Sequence, residues 1–206
     1  TMTGDSNSVD AQVLDQWRDR MALGRSRDSH PHDALHLTSK PLTASMRLRG
    51  ELLVEFDAEF TTPTAAISVM MVELGERRRL TAQVEDAPGE PVQWGEHTPT
   101  TRLRRFITEP TPSDYRILTR GWMNAQNRHG AFCKEQLSPG HPYHYRFTTE
   151  PIDTIVPSGS RLRLVVFGAD PEATPTSATP IAFTVDPTTV TARIHTAPAA
   201  NDRPWA

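Results

Sequence analysis

The chain has 206 residues with 36% hydrophobic and 7% aromatic content, enough for one large β domain with a short extension. Its formal net charge of −3 lacks the concentrated positive field that phosphate binding requires, which argues against nucleic acid as a partner. The single cysteine excludes an internal disulfide, and no apolar run approaches the roughly 20 residues of a membrane-spanning helix.

In chain order, Asp10 to Met21 is the one helical stretch: Val13, Leu14, Trp17 and Met21 recur at spacings near three and four. Residues Gly24 to Lys40 are polar and rich in histidine, and are expected to form a connector. From Arg49 the period changes to two. Leu52, Val54, Phe56, Ala58 and Phe60 alternate with Glu51, Glu55, Asp57 and Glu59, a strand with one wet face. Ala65 to Val72 is apolar apart from Ser68, as in a strand covered on both faces.

Leu80, Ala82 and Val84 alternate again before the turn residues Asp86-Ala87-Pro88-Gly89. The segment Glu90 to Pro112 reads as a long loop carrying Trp94 and His97. Further strands are expected at Tyr115–Gly121, Tyr143–Phe147, Arg161–Phe167, Ile181–Val185 and Val190–His195. The expected organisation is therefore a leader over 1–40, an all-β sandwich over 41–195 and a flexible tail over 196–206.

The chemistry-bearing residues do not assemble a catalytic motif. No Gly-x-Ser-x-Gly elbow is present: Ser26 lacks the second glycine, and Ser158 lies in a turn entering a strand. Cys133 has His129 near it in sequence but no third orienting group, and a lone cysteine is usually a small core residue. His30, His32 and His36, beside Asp28 and Asp33, have ligand-like spacing. Pro31 interrupts them and no distant pair completes a set, so a solvated linker is expected and no metal or cofactor is assigned. The runs Arg77-Arg78-Arg79 and Arg102, Arg104, Arg105 read as solvated turns.

An ordered set of segments stands out. They are Ile117 to Arg128, with Gly121-Trp122-Met123-Asn124-Ala125-Gln126-Asn127-Arg128 at its end; Leu137 to Tyr143; Ile155 to Leu164; and Gly168-Ala169-Asp170-Pro171. With Ala65 to Gly75 before them, they resemble the C-terminal domain of Xaa-Pro dipeptidyl-peptidases and their relatives in the cocaine-esterase and acyl-hydrolase group. The resemblance spans about Leu42 to Val185.

That resemblance implies a jelly-roll β-sandwich of galactose-binding-like type, without catalytic residues of its own. It would accompany an α/β-hydrolase domain of the same parent chain bearing a Ser-Asp-His triad, in an enzyme releasing Xaa-Pro dipeptides from peptide N-termini. Such a domain packs on the catalytic domain, shapes substrate access or builds a homo-oligomer. Trp122, Asn124, Gln126, Asn127 and Arg128 are the candidate contact residues, a large aromatic with amides and a guanidinium. The alternative use of the same residues is a core tryptophan with a capped turn. No signal-peptide pattern is visible, and a cytoplasmic parent is the expectation. The other readings are a carbohydrate-binding module using Trp94, Trp122 and Tyr115, or the C-terminal domain of a related esterase or acyl-amide hydrolase.

Overall fold

The computed structural model describes residues 11–24, 34–86, 104–168, 170–174 and 183–198. In chain order the elements are α1 (Ala11–Leu23), β1 (Ala34–Thr38), β2 (Met46–Phe60), β3 (Ala66–Arg77), β4 (Leu80–Asp86) and β5 (Arg104–Thr108). They continue with β6 (Ser113–Asn124), a 3-10 turn (Ala125–Asn127), β7 (Pro142–Thr148), β8 (Ile152–Val156), β9 (Arg161–Phe167), β10 (Phe183–Val185) and β11 (Thr191–Pro198). The all-β expectation holds: among the described residues two principal sheets carry the fold, with one short helix.

One sheet has the order β1-β9-β3-β6. The other is organised on β2, which pairs antiparallel with β7 and β8 on one side and with β10 and β11 on the other. At 15 residues β2 is long enough to take two partners end to end along each edge. The expected alternation is its inner face: Leu52, Val54, Phe56, Ala58 and Phe60 are buried, and Leu48 extends the series. They meet Ile67, Val69 and Met71 of β3 and Leu164 and Val166 of β9 in one core between the sheets. Tyr145 of β7 completes an aromatic cluster, its ring centroid 5.9 Å from Phe56 and 5.7 Å from Phe60.

The wet face of β2 is a ladder of cross-strand pairs. His144 Nδ1 lies 2.7 Å from the Asp57 carboxylate, and Arg146 is 3.2 Å from Glu55. A hydrogen-bonded pair and an ion pair directly across the strands support the register that buries the apolar set.

Met70, Val72, Val165 and Phe167 point out of the other face of the four-stranded sheet, where Met21, Ala22 and Trp17 of α1 cover them. This explains the apolar run in β3, interrupted only by Ser68: the sandwich core takes one face and the helix takes the other. Gly24 ends α1 with φ +66°, and its N–H donates to the Arg20 carbonyl at 2.9 Å, the usual left-handed glycine stop. His36 donates to the Met21 carbonyl and Arg163 to the Ala22 carbonyl, at 2.7 and 2.9 Å, so the last turn is tied to β1 and β9.

Several elements depart from the sequence expectation. Residues Ala34–Thr38 of the expected connector form a strand paired with β9, because Leu35 and Leu37 pack on the core and His36 faces the helix. The expected loop over 90–112 contains β5 at its end, paired with β4. Strand β11 runs to Pro198, into the expected tail. Residues 75–114 form a separate compact unit holding β4 and β5. Within it Arg79, expected to be solvated, is only 6% exposed; it bonds the Gly75 carbonyl at 2.6 Å, the Ser113 hydroxyl at 2.7 Å and the Ser113 carbonyl.

Candidate interaction surface

Strand β6 carries the candidate residues to the surface through an unusually close backbone approach. A β-carbon on Gly121 would lie 2.9 Å from Thr149 Cα and 3.0 Å from the Thr148 carbonyl, so only glycine fits. Neighbouring bonds hold that approach: Glu150 N–H donates to the Arg120 carbonyl at 2.8 Å and the Thr119 hydroxyl to the Glu150 carbonyl at 2.6 Å.

Immediately after it Trp122 stands 43% exposed. The Asn124 side chain accepts from Gln126 N–H at 3.0 Å and caps the 3-10 turn. Gln126 is buried, and its carbonyl accepts from Glu135 N–H at 2.9 Å. Asn127 donates through Nδ2 to the Ala131 carbonyl at 2.6 Å. Arg128 pairs with Glu135 and lies over the Tyr143 ring, 4.4 Å from its centroid. The amides and guanidinium thus build and brace a turn, while the tryptophan beside them remains presented to solvent.

A second polar cluster lies where Glu172 meets α1. Asp170 is 1% exposed; its Oδ1 accepts from Glu172 N–H at 2.9 Å, and Arg120 approaches its other oxygen at 3.5 Å. Burial pushes its carboxyl above the ordinary value, against the opposing pull of that N–H and of Arg120. Glu172 pairs with both Arg18 and Arg120. The hydrogen bond from Arg18 dominates, and the carboxyl falls to about 2. Arg120 also sits 5.9 Å from the centroid of the Trp17 ring, which packs T-shaped on Phe167 with ring centroids 5.7 Å apart. These groups clamp the helix to its sheet.

Glu73, at the end of the apolar run in β3, is 1% exposed. Arg116 reaches it at 3.1 Å and donates also to Thr154 at 2.9 Å, while the Ser160 hydroxyl lies 3.4 Å away. A carboxylate buried this deeply requires such partners. Its isolation in sequence from Arg116 and Ser160 hid the network from sequence reasoning.

The remaining candidates are placed individually. The Ser158 hydroxyl donates to the Leu42 and Thr43 carbonyls at 3.3 and 3.1 Å. Cys133 is exposed rather than in the core, because it lies in the loop between β6 and β7. His129 faces Glu135 at 3.9 Å. His36 serves the helix end, while Asp28, His30, His32, Asp33, Trp94 and His97 fall outside the described residues. Among the described residues no three His, Cys, Asp or Glu side chains converge as metal ligands. Tyr115 donates to Asp19 at 2.8 Å and so belongs to the helix contact rather than to an open sugar platform.

Comparison with known proteins adds a family. The model described as the X-Pro dipeptidyl-peptidase C-terminal non-catalytic domain matches residues 1–203. The Xaa-Pro dipeptidyl-peptidase of Lacticaseibacillus casei is 27% identical over 149 residues, covering 72% of this chain and 19% of that protein. A putative Xaa-Pro dipeptidyl-peptidase of Streptomyces avermitilis is 32% identical over 164 residues, 75% of this chain and 24% of its own. The chain therefore spans about a fifth to a quarter of the length of these curated relatives. Among solved structures, an aminopeptidase from a marine sediment archaeon (Thaumarchaeota archaeon) superposes with a TM-score of 0.46 at 14% identity, over 73% of this chain and 20% of that one.

Proposed function

This chain belongs to the X-Pro dipeptidyl-peptidase C-terminal non-catalytic domain family, and we propose that it packs on the catalytic α/β-hydrolase domain of a parent serine dipeptidyl-peptidase, walling the approach to its active site. In this proposal the parent attacks the bond after an Xaa-Pro dipeptide with a triad serine and passes through an acyl-enzyme. The chemistry belongs to the other domain. This domain contributes a fixed surface.

The observation that carries the proposal is the presentation of Trp122. It is 43% exposed, yet its strand is held by the Gly121–Thr149 approach and followed by the turn that Asn124 caps. A large aromatic held in place before its partner arrives loses little freedom on docking, as interface anchors require. Asn127 and Arg128 brace the turn beside it and supply polar groups at the margin.

The test uses the full-length parent. It should release dipeptide from an Xaa-Pro p-nitroanilide, and Trp122→Ala should weaken domain docking by about 2 kcal/mol, the cost of losing an interface aromatic. Calorimetry should then show one cooperative transition splitting into two, with kcat/KM reduced. A full-length protein with no Xaa-Pro release overturns the parent activity. An unchanged single transition with unchanged kcat/KM removes Trp122 from the contact.

A further inference from the structure

The loop that joins β6 to β7 has a construction that the packing of the domain does not explain. Both its roots are buried: Ala125 and Gln126 at one end, Leu137 at the other. Leu137 N–H donates to the Pro63 carbonyl and Ala125 N–H to the Ala65 carbonyl, fixing both ends to the segment before β3. Between them the backbone folds on itself. Gly130 N–H donates to the Asn127 carbonyl and Cys133 N–H to the Gly130 carbonyl, both at 3.0 Å. At the tip of this tied loop Phe132 is fully exposed, at 102%.

The two ends of the same loop carry a small platform. The Tyr143 ring is covered by the Arg128 guanidinium at 4.4 Å and by the His141 ring at 4.7 Å, and its hydroxyl accepts from Ser138 N–H at 3.0 Å. Aromatic and arginine side chains are the types enriched in the cores of protein interfaces. Phe132 would bury about 150–250 Å² on entering a pocket, an anchor within the roughly 800 Å² that a stable contact buries on each partner.

We propose that this loop is a docking element, with Phe132 inserting into an apolar pocket on the catalytic domain of the same parent chain and the Arg128–Tyr143–His141 platform closing over its rim. The proposal rests on the reading that a catalytic domain accompanies this one, and it names the element that engages it. One observation favours that occupant over a second copy of the chain. The curated relatives are four to five times as long as the matched region, as the 19–24% coverage gives, so most of their mass lies beyond it.

Cys133, adjacent to Phe132 and exposed, is a built-in reporter. Full-length parent protein is pulsed with N-ethylmaleimide, native or unfolded in urea, and alkylation of the Cys133 peptide is followed by mass spectrometry. Native labelling should be at least tenfold slower than unfolded labelling. Phe132→Ser should raise the native rate at least fivefold, and Ile155→Ser, which removes an exposed apolar side chain on β8, should leave it unchanged. Labelling of the native protein within twofold of the unfolded rate overturns the proposal. Protection that vanishes on dilution to nanomolar protein also overturns it, since a second copy would then be the cover. Xaa-Pro hydrolysis measured on the same sample separates the two claims: an active enzyme with a freely labelled Cys133 defeats the docking element alone, and an inactive protein with a protected Cys133 defeats the parent activity alone.

Discussion

Gly121 and Thr149 bring the two principal sheets into backbone contact: Gly121 lies in β6 of one, and Thr149 follows β7 of the other, its N–H donating to the Leu52 carbonyl at 3.0 Å. A methyl at Gly121 must push backbone atoms apart, and backbone has no alternative rotamer. Gly121→Ala should therefore cost about 1–3 kcal/mol, the usual range for forced overpacking. Urea denaturation should show a lower midpoint with an unchanged slope. An unshifted midpoint would mean the approach relaxes freely.

Tyr145 tests the opposite sign. Its hydroxyl is buried with no hydrogen-bond partner among the described residues, and burial pushes its ionisation up to about 12. Tyr145→Phe keeps the ring contacts to Phe56 and Phe60 and removes a desolvated polar group. Stability should be unchanged or raised by up to about 1 kcal/mol. A clear loss would reveal a partner for that oxygen.

The clamp on α1 carries a pH signature. Glu172 has a folded value of about 2 against an ordinary 4.5, so as the pH falls the unfolded chain takes up the proton first. Its contribution is complete above about pH 4.5 and is lost progressively towards pH 2. Asp170, shifted upward by burial, acts in the opposite sense: its ionisation opposes folding, and protonation relieves that penalty. Glu172→Gln should flatten the acid loss in stability between pH 4.5 and 2, read from melting temperatures. An identical profile in the variant would rule Glu172 out as its source.

The same helix should open alone. Trp17 contacts Phe167 and Arg120 on the face of the sheet away from the sandwich core. Trp17→Ala should weaken that attachment by about 2 kcal/mol, roughly a 30-fold rise in α1 amide exchange, with β3 and β9 exchange unchanged. Equal acceleration in the strands would show that helix and sheet unfold as one unit.

How much of this was visible in the sequence follows the range of the interactions. The inner face of β2 was legible because strand alternation is local, and the two-sided burial of β3 because an apolar run with a single serine in it has few other uses. Strand β1 was hidden by its histidine: His36 suggested a ligand cluster, whereas it meets the end of a helix 15 residues away. The Glu73 network had no signal in the sequence, since its partners Arg116 and Ser160 lie 43 and 87 residues along the chain. In the candidate contact segment the composition identified polar turn residues and an aromatic. Which of them faced solvent depended on β6 passing Thr149, which no local pattern records. Phe132 gave no signal, because a single phenylalanine between Ala131 and Cys133 reads as an ordinary apolar step.

The central place of β2 has a consequence for the chain as it is made. Glu55 and its β11 neighbour Thr191 are 136 residues apart, so at about 5–20 residues per second β2 waits roughly 7–27 s for that partner to leave the ribosome. Until then one edge of a 15-residue strand has its β11 bonding positions open, a template for mispairing with other nascent chains. Its outward acidic residues, Glu51, Glu55, Asp57 and Glu59, keep like copies apart by repulsion during that interval, before the basic residues of β7 and β11 arrive to pair with some of them.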